Sequence, residues 1–256
     1  LKFRILNFFI WIFLIAFAMY CGINGLALWP VAILVILYSI FLITISTNIR
    51  WNVFIKGFHH QKNHPKKEIC LTFDDGPTEV TPKILDLLDK YDAKACFFCI
   101  GTQMEKHPDI VKQIIERGHI IGNHTYSHTR KMGFLSSKSL TREIDACDII
   151  ANDISGLKLN FFRPPFGIIN PKTKRALRKT GHHVIGWNLR TYDAILNDEN
   201  KILNRVKRKL KPGDVILLHD NKEQTARILE QLLMHLQANE YQAIRPDQLF
   251  RIHAYI

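Results

Sequence analysis

The chain has 256 residues, 47% of them hydrophobic, and a formal net charge of +12 from 35 Lys and Arg against 23 Asp and Glu. This composition excludes a disordered polar chain and suits one sizeable domain plus a further segment. Five cysteines, an odd number scattered through the chain, exclude a disulfide framework.

The further segment comes first. Residues 5–20 (ILNFFIWIFLIAFAMY) and 26–45 (LALWPVAILVILYSIFLITI) carry no charge. The second is 20 residues long, which matches a hydrocarbon core of roughly 30 Å. The first reaches similar length when extended through residues 21–23. Gly22, Asn24 and Gly25 predict a turn between them. Neither run has the polar face of a core helix, and Trp11, Trp29 and Trp51 fall at or near the ends, as interfacial aromatics do. Residues 1–50 are therefore expected to form a transmembrane helical hairpin. A leader peptide is the rival, since Lys2 and Arg4 precede Ala16-Phe17-Ala18; the second apolar segment directly behind argues for the hairpin.

No acid occurs before Glu68. Lys2 and Arg4 precede the first run, Arg50, Lys56, Lys62, Lys66 and Lys67 follow the second, and the turn is uncharged. The positive-inside bias then places both ends of the hairpin, and the rest of the chain, on the cytoplasmic side. If the first run does not span, that part lies outside. The basic stretch suits anionic headgroups. It carries no recognition motif for nucleic acid, which is not expected as a partner, and no motif points to a protein partner.

Residues 51–67 (WNVFIKGFHHQKNHPKK) are expected to form a basic juxtamembrane linker. His59, His60 and His64 lack an acid or Cys companion there and predict a solvated segment rather than a metal site. From Glu68 onward, apolar runs at 68–73, 95–100, 119–122, 159–162, 183–187 and 214–218 alternate with helical patterns. Thr81-Pro82 opens the first helix, and His107-Pro108 opens one closed by Gly118. Residues 139–154 form a longer amphipathic helix, Asn170-Pro171 opens one closed by Gly181, and 199–211 and 222–238 follow. Cys96 and Cys99 lie in one strand run, where residues three apart face opposite ways, and read as small core residues. Strand–helix alternation over 68–256 predicts a parallel sheet, open or closed into a barrel. In such folds the carboxyl ends of the strands carry the chemistry.

The candidate residues fall at those ends. LTFDDGP places Asp74 and Asp75 after the first run, NHTYSH places His124 and His128 after the third, and RPPFG places Arg163 after the fourth. Asp193 follows the fifth run and Trp187, and His219-Asp220 follows the sixth. The i, i+4 spacing of His124 and His128 can bring two imidazoles to one ion. With a carboxylate from another strand end, this becomes a His₂Asp site with positions left for water and substrate. One of the paired acids would bind the metal, and the other would take the proton from water as general base. A divalent cation offsets the repulsion between adjacent acids.

TFDDGP, H-T-x-x-H, R-P-P-F-G and L-L-H, in that order across 68–256, resemble the NodB-type polysaccharide deacetylases of carbohydrate esterase family 4. The resemblance implies an α/β fold, a deformed (β/α) barrel. It also implies a divalent metal, usually zinc, and hydrolysis of an N-acetyl group on an amino sugar. By position in the motifs, Asp74 resembles the family's base, and Asp75, His124 and His128 its metal ligands. Arg163 resembles the residue that orients the base, and His219 the general acid that protonates the leaving amine. Pro165 and Phe166 resemble groove wall, and Leu217 part of the acetyl-methyl pocket. The family's Asp-x-x-Asp-Trp is replaced by Arg190-Thr191-Tyr192-Asp193-Ala194. Asp193 keeps the second acid, which can pair with His219, whereas the changes at Arg190 and Ala194 leave substrate choice open. The implied partners are a membrane and an N-acetylated glycan, whether polysaccharide, peptidoglycan or lipid-linked amino sugar. A cytoplasmic site favours the lipid-linked precursor. A catalytically inactive, membrane-anchored carbohydrate-binding relative is the alternative, and the complete set of site residues weighs against it.

Overall fold

The computed structural model describes residues 2–256 and divides between Thr47 and Asn48 into two compact units. The first unit holds α1 (Lys2–Ile23) and α2 (Trp29–Thr47). Within them Ile5–Ile23 and Trp29–Thr47 are each 19 residues long and apolar enough to cross a bilayer, a test that a leader sequence also passes. At 1.5 Å per residue each spans about 28 Å. α2 starts three residues into the apolar run because Pro30 is accommodated in the first turn of a helix and not in its interior. Across the hairpin the Tyr38 hydroxyl donates to Asn7 Oδ1, and the Trp11 ring meets Tyr38 edge-on at 6.3 Å.

The second unit alternates strands and helices. β1 (Gly57–Phe58) leads to β2 (Glu68–Asp74), α3 (Thr81–Lys90), β3 (Ala95–Cys99), α4 (Gly101–Lys106), α5 (Pro108–Glu116) and β4 (Ile120–Asn123). The middle of the unit comprises α6 (Ser137–Ser155), β5 (Phe161–Phe162), α7 (Pro171–Thr180), β6 (His183–Ile185) and β7 (Leu189–Arg190). α8 (Glu199–Lys209), β8 (Val215–His219), α9 (Glu223–Ala238), β9 (Gln242–Ala243) and α10 (Pro246–Phe250) complete it. The strand order is β1-β6-β5-β4-β3-β2-β8-β7, with β9 beside the start of β2, and the pairings between named strands are parallel. Among the described residues β1 and β7 are not paired with each other, so the barrel is incomplete.

The stretch 51–67, expected as a solvated linker, is part of this barrel. β1 pairs with β6, and the chain then crosses to β8. There His60 forms an antiparallel bridge with Asp214, and Gln61 N–H donates to the Gly213 carbonyl at 2.9 Å. A Cβ at Gly213 would lie 2.1 Å from the Gln61 carbonyl oxygen, so only glycine admits this crossing. His64 Nε2 reaches Glu68 at 2.7 Å, and Asp214 takes the Asn188 amide. A strand of two residues carries too little period to be read from sequence, which also explains why β7 and β9 were not expected.

On β2, β3 and β8 the side chains of Leu71, Phe73, Phe97, Cys99, Ile216 and Leu218 enter the principal core with the apolar faces of α3, α5 and α9. Strand alternation turns Thr72, Asp74, Phe98, Leu217 and His219 to the opposite face, into the barrel. The register sets Asp74 level with His219 and Phe98, and Cys99 level with Asn123. The chemistry-bearing strand ends therefore share one pole.

Candidate active site

Arg163 is the organising side chain. It is fully buried at the end of β5. Its Nη1 donates to Asp74 Oδ1 at 2.7 Å and to Thr72 Oγ1 at 2.9 Å; Nε and Nη2 donate to the carbonyls of Ile185 and Gly186, each at 2.9 Å. The guanidinium lies 4.1 Å from the Phe98 ring centroid and 5.5 Å from that of Trp187. Its planar fork thus ties β2, β5 and β6 together and holds one oxygen of Asp74. The other oxygen, Oδ2, lies 3.9 Å from His124 Nε2.

Beside it, Asp75, His124 and His128 bring their donor atoms within 4.8 Å of one another, the one such group of three or more His, Cys, Asp or Glu among the described residues. Asp75 Oδ1 is 3.6 Å from His124 Nε2 and 3.4 Å from His128 Nε2. His124 Nδ1 donates to the Arg163 carbonyl at 2.7 Å, which leaves the Nε2 lone pair for a ligand bond. His128 and Thr125 both take positive φ, 48° and 67°, in a turn held by Asn123. Asn123 Oδ1 accepts from Thr125 N–H, and its Nδ2 donates to Asp148 and to the Ile144 carbonyl. Burial raises the Asp75 carboxyl, but the hydrogen bond and charge of His124, with His219 and His128, outweigh it and bring the pKa down to about 2. Burial, then the charge of His124, pushes the His128 imidazole down. An ionised carboxylate and neutral imidazole are the forms that bind a cation, and the donor set fits a divalent metal.

On the other side of Asp74 is a second pair. His219 Nδ1 meets Asp193 Oδ1 at 2.9 Å, and Asp193 is fully buried. Asp193 also accepts from Thr191 Oγ1, Thr225 Oγ1 and the His219 N–H. Burial lowers the His219 pKa, but the hydrogen bond and charge of Asp193 outweigh it and raise it. For Asp193, burial raises the pKa and the same hydrogen bond from His219 lowers it overall. The pair therefore stabilises the fold between the two titrations. Its contribution is lost as pH rises through the raised His219 pKa, and also as pH falls through the lowered Asp193 pKa. Asp193→Asn removes what raises His219 and leaves the burial that lowers it. The alkaline limb of kcat/KM is then expected to move to lower pH. An unmoved limb in a pH–rate profile would contradict the pairing.

Pro165 is buried in a short 3₁₀ turn, and Phe166 beside it is 52% exposed, at φ 60°, with its ring 4.9 Å from that of His128. Leu217 is buried on the inner face of β8, level with Thr72. Arg190 lies level with Leu217 on β7 and stacks on Tyr192, 5.0 Å from its ring centroid. Sequence reasoning assigned no task to Thr72, Asn123 or Asp220, although all three adjoin the motifs. Asp220 is fully buried, takes the Thr81 hydroxyl at 2.7 Å and, among the described residues, has no partner at Oδ1; burial pushes its carboxyl up to about 7. Its carboxylate lies against Gly76, where a Cβ would come within 2.0 Å of Oδ2. Gly76→Ala is accordingly expected to cost roughly 1–3 kcal/mol by overpacking and to shift the turn carrying Asp74 and Asp75. Unfolding and metal-binding titrations of the variant measure both effects.

Comparison with known proteins agrees with this geometry. The family profile described as polysaccharide deacetylase matches residues 61–185. A peptidoglycan-N-acetylglucosamine deacetylase of Bacillus cereus is 39% identical over 155 residues, 60% of this chain and 56% of that protein. A second protein of that name from the same organism is 33% identical over 192 residues, 73% of this chain and 89% of the relative. The chain thus spans little more than half the length of one and most of the other. Among solved structures, the Bc1960 peptidoglycan N-acetylglucosamine deacetylase superposes with a TM-score of 0.71 at 33% identity, covering 77% of this chain and 94% of that one. With an incomplete parallel barrel, an Asp-His-His cluster at its carboxyl pole and relatives of this extent, the chain belongs to the polysaccharide deacetylase family.

Proposed function

We propose that this chain hydrolyses the N-acetyl group of an amino sugar in peptidoglycan or its lipid-linked precursor, releasing acetate and a free amine. The observation that carries this reading is one carboxylate oxygen that Arg163 leaves unbound and one acid-paired imidazole at the same pole as a three-donor cluster. Asp75, His124 and His128 would hold the cation. The separations of 3.4 and 3.6 Å between their donor atoms suit zinc. A tetrahedral site with bonds of about 2.0–2.1 Å has edges of about 3.3–3.4 Å. A bound divalent ion supplies Lewis acidity at an amide carbonyl and makes a neighbouring water easier to deprotonate.

The chain's own residues do the rest. Arg163 fixes Asp74 Oδ1, so Oδ2 is the atom that takes the proton from the attacking water. Asp193 holds His219 through Nδ1, so Nε2 is the atom that delivers a proton to the departing nitrogen. Phe166, with Pro165 behind it, walls the cleft beside His128. Leu217 lines the floor where an acetyl methyl would sit. Water adds to the carbonyl carbon, the C–N bond breaks, and the two proton transfers leave acetate and amine. The test is acetate release from N-acetylglucosamine oligomers and peptidoglycan by the full chain in nanodiscs. Dialysis against a chelator is expected to abolish turnover and zinc to restore it. A preparation that retains metal and binds glycan without releasing acetate would instead be a carbohydrate-binding relative.

The two apolar helices are read as a hairpin anchor. Basic residues on its flanks and an uncharged turn support a cytoplasm-facing site, which favours the lipid-linked precursor. Paired reporters fused at Ile256, one active only in the cytoplasm and one only after export, test this. An exported signal would leave the polymer as the substrate.

A further inference from the structure

One flank of the catalytic mouth carries a surface that hydrolysis does not use. The loop leaving β4 beyond His128 runs through Arg130, Lys131 and Phe134 into α6, and residues 129–142 contain no acid. Neither does α7, which packs against α6. Phe134 is 85% exposed, yet its loop is tethered. Lys172 Nζ donates to the Phe134 carbonyl at 3.3 Å, Asn170 Nδ2 to the Gly133 carbonyl at 2.9 Å, and Arg175 Nε to Ser137 Oγ at 3.1 Å. Arg130, Lys131, Lys138 and Arg175 are exposed, and no ion pair to them or to Lys172 is formed among the described residues. A phenyl ring held in water within a collar of unpaired cations is the pattern of an interfacial anchor. The cations meet phosphates and the ring enters the acyl boundary.

A second observation falls at the same pole. Ile49, the second residue of the catalytic unit, packs against Gly186, where a Cβ would meet Ile49 Cδ1 at 3.2 Å. The carbonyl of Gly186 takes Arg163 Nη2. The entry of the chain into the barrel therefore lies beside the site. Trp51, 53% exposed, and Arg50 flank that entry. A soluble anionic polymer would satisfy the cations and offer nothing to Phe134, whereas a bilayer answers both.

We propose that the mouth of the barrel docks on an anionic phospholipid bilayer through Phe134 and its surrounding cations. The site is thereby turned toward a glycan presented at the membrane surface. The glycan part rests on the function proposed above; the docking does not. The test uses the full chain in nanodiscs of phosphatidylcholine with or without phosphatidylglycerol. An environment-sensitive fluorophore is attached at Phe134→Cys or, as control, at Asn239→Cys after the end of α9 at the opposite pole. The five native cysteines are buried and do not compete for label.

Emission at 134 is expected to shift to the blue and to be quenched by nitroxide-bearing acyl chains when phosphatidylglycerol is present, and emission at 239 is not. Arg130→Ala with Lys131→Ala lowers the docked-to-free ratio about 25-fold, roughly fivefold for each cation removed near a charged surface. Equal emission at the two sites overturns the proposal. So does a response to soluble polyglycerol phosphate without one to lipid, which would assign the patch to an anionic polymer. Because fluorescence needs no turnover, docking without acetate release refutes the catalytic reading and leaves the surface standing. Docking with an unchanged preference for disc-borne over soluble glycan in the double variant refutes the glycan part alone.

Discussion

Asp74→Asn is expected to lower kcat/KM by about 10²- to 10⁴-fold, the range that a positioned general base contributes. The substitution is close to isosteric. An amide oxygen can still accept from Arg163 Nη1, now 2.7 Å from Asp74 Oδ1, and none of the side chains proposed to hold the cation is touched. Metal content should therefore stay at the wild-type level while turnover falls. That combination separates loss of proton transfer from loss of the metal, which Asp75→Ala or His124→Ala would cause. Full activity in the Asn variant would overturn the assignment of Asp74 as base.

Arg163→Ala should give the largest loss of stability. The guanidinium is fully buried and makes hydrogen bonds to Asp74, Thr72, Ile185 and Gly186. Removing it leaves the Asp74 carboxylate, itself 5% exposed, without its counter-charge and two carbonyls without donors. Breaking a buried pair from one side costs about 3–5 kcal/mol. For a unit of this size that corresponds to a fall in melting temperature on the order of 10 °C. Arg163→Lys is expected to recover little, because an ammonium cannot direct three nitrogens along the fork that the site requires. A variant that melts with the wild type would show that the guanidinium does not clamp the three strands.

Much of the fold was legible because its long elements have clear periods and punctuation. Thr81-Pro82, His107-Pro108 and Asn170-Pro171 each mark a helix start, and α7 ends at Gly181 in the left-handed conformation. The α6 start lies two residues before the expected one because Ser136 caps it by accepting from Ser139 N–H. The segment 51–67 was misjudged for a physical reason. His60 finds its partners far along the chain, at Pro212 and Asp214, and no local pattern records that.

The sequence by itself determined which residue types stand at which strand ends: two acids, two imidazoles four apart, an arginine before a proline pair, and a histidine after an apolar run. It also determined the two apolar helices, since length and the absence of charge are local properties. Only the tertiary structure decided the partnerships. Strand alternation and parallel register put Asp74 level with His219, and the barrel brought Arg163 to Asp74 across 89 residues of chain. The same closure set a basic, aromatic surface beside the mouth. Contacts between residues so far apart depend on how the strands pack, and packing energy is a property of the assembled barrel that no window of sequence contains.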